Sequence, residues 1–213
     1  MLPAILSILA LVTAVLAIWG EYKPTRTQVY IFKPVTTLLI IWIALWGQGD
    51  PAAPAYKWLI VAGLIFCLGG DIFLMLPERF FLAGLSSFLV GHWFYIGAFG
   101  TRTPFSIPWW VVLLVLYGLF MYRLIQPNLG KMRGAVAFYI FIILVMAVSA
   151  LTRWQALGAN SAQLAAVGAI LFVISDSVLA LDRFRQKFKI ARVIVLSTYW
   201  AAQWLIAMSV ITG

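Results

Sequence analysis

Eight long apolar runs succeed one another along this chain, at about 2–19, 29–47, 57–76, 80–99, 108–124, 134–152, 162–181 and 190–211. Short stretches of charge, glycine and proline separate them, for example Tyr22-Lys23-Pro24, Gly47 to Pro54, Pro77-Glu78-Arg79, Thr101 to Pro108 and Asp182 to Lys189. A helix needs roughly 20 apolar residues to cross about 30 Å of hydrocarbon, and lipid offers no partner to an unpaired backbone group. The pattern therefore predicts an all-α integral membrane bundle of about eight transmembrane helices. The runs use up most of the 213 residues, so residues 1–213 read as a single membrane domain with no separate soluble part. Charge agrees: 10% of residues are charged, against about 25% in a soluble domain. No basic residue precedes the first run, so 2–19 reads as a permanent helix and not a cleaved signal.

The same composition excludes several kinds of function. The single cysteine, Cys67, cannot form an internal disulfide and reads as a small buried hydrophobe. With one histidine, His92, the chain lacks the ligand set of an ordinary zinc site, and no metal or cofactor is expected. The net charge of +9 reads as topology and contact with anionic membrane lipids, and no nucleic-acid partner is expected.

Basic residues also give a direction. The connections after helices 1, 3, 5 and 7 hold eleven of them: Lys23, Arg26, Arg79, Arg123, Lys131, Arg133, Arg183, Arg185, Lys187, Lys189 and Arg192. Those after helices 2, 4 and 6 hold three, Lys57, Arg102 and Arg153. Positive charge stays inside, so the odd-numbered connections are expected in the cytoplasm and both termini outside it. Short loops point to a bacterial inner membrane.

Two segments repeat. Gly63, Ile65, Asp71, Leu74 and Leu76 recur at one offset as Gly168, Ile170, Asp176, Leu179 and Leu181, and an acidic-Arg-Phe tripeptide follows each. The helices that carry them run in the same direction. This suggests two parallel four-helix repeats, 1–99 and 108–211, related by an axis along the membrane normal.

Asp71 and Asp176 are the two acidic residues inside the spans; Glu21, Asp50, Glu78 and Asp182 lie in or beside loops. A carboxylate at a helix centre costs about 2.5–3.5 kcal/mol on insertion scales, so it marks a cavity or a functional path. Lys33 reads as the one basic residue within a span. Counted from the helix ends, Lys33, Asp71 and Asp176 share a depth of roughly 6–8 Å. Tyr139 falls near that level, and His92, Tyr95, Tyr199 and Gln203 lie deeper. A polar cavity open to the cytoplasmic leaflet would collect these groups. The alternative is that Lys33 neutralises one aspartate and the others glue helices together.

Lys33-Pro34, Gly70-Asp71 with Leu74, Gly84, Phe88, His92 and Tyr95, Gly168 to Phe172, Ser175-Asp176, Leu179-Ala180, Tyr199 and Gln203 together resemble the YhhN family of multi-pass membrane proteins. Characterised members of that family are lysoplasmalogenases. The resemblance implies a membrane hydrolase that cleaves the vinyl-ether bond of a lysophospholipid to a fatty aldehyde and a glycerophospho-headgroup. Protonation of the β-carbon of an enol ether creates an oxocarbenium-like centre that water then attacks. A carboxylic acid paired with a carboxylate can promote both steps, as in glycoside hydrolysis. The expected catalytic pair is Asp71 and Asp176, with roles unassigned. Lys33, His92, Tyr95, Tyr139, Ser175, Tyr199 and Gln203 are the expected substrate-binding residues.

Two other readings compete. An intramembrane aspartyl protease also needs two aspartates, but Leu68-Gly69-Gly70-Asp71 lacks that class's glycine spacing. A proton-coupled small transporter or lipid-binding protein would use buried carboxylates without hydrolysis.

Overall fold

The computed structural model describes residues 1–50, 53–103 and 106–211. The parts of two connections expected at 51–52 and 104–105, and the last two residues of the chain, lie outside the described residues. Within them the chain forms eight α-helices: α1 (Leu2–Gly20), α2 (Thr27–Trp46), α3 (Pro54–Met75), α4 (Phe81–Gly100), α5 (Val111–Ile125), α6 (Arg133–Leu157), α7 (Asn160–Phe184) and α8 (Ala191–Met208). Short 3₁₀ turns at Glu78–Phe80, Gln126–Asn128 and Gly130–Met132 bridge α3 to α4 and α5 to α6. Seven helices are long and apolar enough to cross a membrane. The eighth, α8, is diluted by Arg192, Thr198, Tyr199 and Gln203, and it packs along α7 and touches α1, α2 and α3. The protein is an integral membrane protein.

Six helices close a ring: α2 packs on α3, α3 on α4, α4 on α6, α6 on α7, α7 on α8, and α8 returns to α2. The other two stand outside it, α1 against α2 and α8, α5 against α6 and α7. Their outer faces carry exposed Ile8, Leu11, Val15, Leu113, Leu116 and Phe120, as lipid-facing surface should. Small residues let the ring close. A Cβ on Gly63 would lie 2.4 Å from the Tyr95 ring, and one on Gly168 would lie 2.9 Å from the Ala202 carbonyl oxygen.

Helix ends differ from the expected ones where a charged residue lies inside a helix. α6 continues past Arg153 to Leu157 and stops at Gly158, whose φ of +61° ends the helix in the left-handed region. Arg153 is therefore, with Lys33, one of two buried basic residues among the described residues, 4% exposed. It donates to the Thr101 carbonyl and lies over the Tyr56 ring at 4.4 Å. α7 likewise runs three residues beyond the expected 181, to Phe184. Asp176 thus stands just over two turns, about 12 Å, from its helix end, while Asp71 stands about 6 Å from the end of α3. The three groups do not share one distance from their helix ends.

Candidate active site

Asp71 is 1% exposed and fully engaged. Its Oδ2 accepts hydrogen bonds from Thr37 Oγ1 at 2.7 Å and from the Tyr199 hydroxyl at 2.9 Å. Lys33 Nζ lies 3.4 Å from Oδ1. α2 supplies both Lys33 and Thr37 because the two are four residues apart and so share a helix face. Behind them the Trp200 indole donates to Thr37 Oγ1 at 3.3 Å. A buried ion pair of this kind holds only while the remaining lone pairs are satisfied, and here hydroxyls from α2 and α8 satisfy them.

Asp176 is half-buried and has, among the described residues, a single side-chain hydrogen-bond partner, the Tyr139 hydroxyl, which donates to Oδ2. The next residue, Ser177, accepts a hydrogen bond from Tyr117 of α5 at 2.7 Å. Ser175 points the other way and donates to the Val195 carbonyl at 3.0 Å, tying α7 to α8.

Both aspartates border one cavity of about 620 Å³, together with Lys33, Ser175 and Tyr199. Its mouth lies where the connections after α1, α3, α5 and α7 gather, near Arg26, Glu78, Asn128 and Lys187. Acids and bases there pair off, Arg192 with Glu21 and Arg183 with Glu78 at 3.7 Å. A second, apolar cleft of about 60 Å³ runs between α4, α5, α6 and α7. Asp176, Leu74, Phe81, Phe88, Leu179 and Phe184 line both spaces, so the polar and apolar parts meet at Asp176.

The remaining expected residues fall outside the cavity. Tyr139 lines the apolar cleft. Tyr95 donates to Gln203 Oε1 at 2.6 Å, and both are wholly buried. His92 is also wholly buried, packed edge-on against Phe172 at 4.7 Å and Tyr139 at 5.4 Å, and neither ring nitrogen has a hydrogen-bond partner among the described residues. Sequence reasoning passed over Thr37 and Trp200, although Thr37's place one turn after Lys33 was a usable signal. It named Phe88, Phe172 and Tyr199 singly but not as one aromatic wall, with ring centroids 5.4–6.4 Å apart.

The helical ring and its carboxylate-lined cavity define a polytopic membrane protein with a buried acidic site. The YhhN family model matches residues 28–210, and the chain belongs to that family. Lysoplasmalogenase TMEM86A of Bos taurus is 38% identical over 157 residues, covering 71% of this chain and 65% of the bovine protein. The chain thus spans just under two thirds of that relative's length. Lysoplasmalogenase TMEM86A of Homo sapiens is 35% identical over 187 residues, covering 82% of this chain and 75% of the human one. The uncharacterized membrane protein YhhN of Escherichia coli O157:H7 is 31% identical over 199 residues, covering 92% and 94%. No solved structure matches the chain significantly.

Proposed function

We propose that this protein is a lysoplasmalogenase-like hydrolase that cleaves the vinyl-ether bond of a lysophospholipid by acid-base chemistry of Asp71 and Asp176. One observation carries the reading: a polar cavity and an apolar cleft join at a carboxyl group. A lysoplasmalogen changes from polar to apolar at its vinyl ether. With the headgroup toward the cavity mouth and the chain in the cleft, that bond lies beside Asp176. The relatives named as lysoplasmalogenases support the same reaction.

In this reading Asp176 is the acid. Tyr139 occupies Oδ2 and leaves Oδ1 for the proton, which passes to the β-carbon of the enol ether. The α-carbon becomes an oxocarbenium ion. Asp71, with Lys33 and two hydroxyls beside it, takes the carboxylate role: it stabilises that cation across the cavity and accepts a proton from the attacking water. The resulting hemiacetal collapses to the fatty aldehyde and the free glycerol hydroxyl: Asp71 returns its proton to the glycerol oxygen and Asp176 takes the hemiacetal hydroxyl proton, which restores both carboxyls. Lys33 serves Asp71 before it serves the lipid phosphate. The excess of basic residues in the odd-numbered connections supports reading them as cytoplasmic and the termini as outward, with the cavity mouth at the inner leaflet. The ring supports two parallel four-helix halves, because α2 to α4 and α6 to α8 pack in the same order.

Aldehyde release from lysoplasmenyl-ethanolamine and -choline by purified, detergent-solubilised protein tests the proposal, with Asp71→Asn and Asp176→Asn alongside. The parent is expected to release aldehyde and neither variant to do so. Activity retained in both variants would sink the mechanism, and no aldehyde from a folded parent would sink the reaction.

A further inference from the structure

The cleft beside Asp176 is narrow, about 60 Å³. In the reading above, the carbons nearest the reacting bond lie there. The rest of the chain needs a continuation, and the structure contains one. A groove of about 980 Å³ lies along α4, α5 and α6 and runs toward Thr103 and Thr152 at the far end of the bundle. Its lining is almost wholly apolar, including Leu114, Phe141 and Val145. Gly118, Ile140 and Leu144 line both the small cleft and this groove.

Three spaces therefore follow in series: polar cavity, apolar cleft, apolar groove. Asp176 stands at the first junction and Gly118 with Leu144 at the second. The second junction is tight. A Cβ on Gly118 would come 2.4 Å from Leu144 Cδ1, so α5 and α6 close on each other across these two residues. The leucine methyl is the movable part of the closure.

We propose that the cleft and groove form one conduit for the hydrocarbon chain of the lipid, and that Gly118 and Leu144 form its constriction and set which chain lengths are accepted. The proposal rests on the hydrolase reading above and assigns the chain-binding side of that site. A short chain ends before the constriction and a long chain threads it. Gly118 leaves the passage and Leu144 swings aside as the chain enters.

The test compares octenyl with hexadecenyl lysoplasmenyl-ethanolamine as substrates of the full chain. Gly118→Leu is expected to lower the hexadecenyl-to-octenyl rate ratio by about tenfold or more, the range by which an apolar pocket discriminates. Leu144→Ala is expected to raise the ratio. Leu116→Phe alters a residue of α5 that is 56% exposed and borders none of the three spaces, and it should leave the ratio unchanged. Equal losses for both chains in Gly118→Leu, or no change in either variant, would overturn the conduit. If Gly118→Leu does not fold, the opposed pair Leu144→Ala and Leu144→Phe decides the question by the same ratio.

An uncleavable ligand separates this proposal from the reaction itself. Saturated 1-O-alkyl lysophosphoethanolamines should raise the parent's thermal midpoint more with a hexadecyl than with an octyl chain. Leu144→Phe should remove the difference. That result would stand even if the parent released no aldehyde; equal stabilisation by both chains would overturn the conduit alone.

Discussion

Asp71 and Asp176 hold matching positions in α3 and α7, yet their surroundings differ in kind. Asp71 has an ammonium partner at 3.4 Å, two hydroxyl donors and almost no exposure. Asp176 has one hydroxyl partner, is half-buried, and stands where the two spaces meet. In the proposed mechanism the carboxyl held from three sides serves as the carboxylate. One held from a single side can take up, carry and deliver a proton. Two carboxyls placed by the same helical pattern thus differ in what α2 and α6 put beside them.

The sharpest way to break this comparison is to neutralise each aspartate and measure both activity and stability. Asp176→Asn should lower aldehyde release by about 10²–10⁴-fold, the usual contribution of a general acid, with a thermal midpoint near the parent's. Its one protein partner, Tyr139, can still donate to the asparagine oxygen. Equal thermal losses in Asp176→Asn and Asp71→Asn would erase the distinction drawn here.

Asp71→Asn should abolish activity too, but it should also destabilise, because Lys33 is left 7% exposed without its countercharge. Breaking a buried pair from one side costs roughly 3–5 kcal/mol, and the lower end applies beside an open cavity. Removing both charges, Lys33→Met with Asp71→Leu, should recover most of the lost stability and none of the activity. Recovery of activity in that double variant would mean Asp71 has no chemical role.

The tyrosines sharpen the same contrast at smaller scale. Tyr139→Phe removes the one side-chain hydrogen bond to Asp176 and should slow turnover about 10- to 100-fold, in line with about 1.5–3 kcal/mol for a bond to a charged group. Tyr199→Phe leaves Asp71 with Lys33 and Thr37 and should cost less than about tenfold. A larger effect at Tyr199 would reverse the assignment of roles.

These contrasts were only partly legible in the sequence. The eight helices were legible because lipid imposes length and apolarity on each, whatever the side chains do elsewhere. Asp71, Asp176 and Lys33 were legible because a charge inside an apolar run is expensive and therefore conspicuous. The end of α6 was not, since Arg153 looked like loop punctuation until Gly158 and the Thr101 carbonyl accounted for it. Thr37 was missed because a threonine in a helix needs no partner beyond its own backbone. The apolar cleft had no signal at all. Val136, Ile140 and Leu144 line it, and nothing in their chemistry distinguishes them from leucines and isoleucines that face lipid.

The smallest expected effects concern how the two halves close, and there the halves part company again. Gly63 and Gly168 lie at the same offset as their aspartates, and both sit where one helix presses on the next. Ala at either position should lower stability by about 1–3 kcal/mol, the usual cost of an extra methyl in a packed interior. The obstacles differ. At Gly63 it is the ring of Tyr95, 2.4 Å from the new Cβ, fixed by its bond to Gln203. At Gly168 it includes the backbone carbonyl of Ala202 at 2.9 Å, which no side-chain change can withdraw. Gly63→Ala should therefore be partly rescued by Tyr95→Leu, while Gly168→Ala should not be rescued by Ile206→Val. Thermal midpoints of the four variants in detergent check this. Equal rescue on both sides would mean that α7 and α8 can slide apart as readily as a side chain can shorten, and that the α7–α8 contact does not fix the position of Asp176.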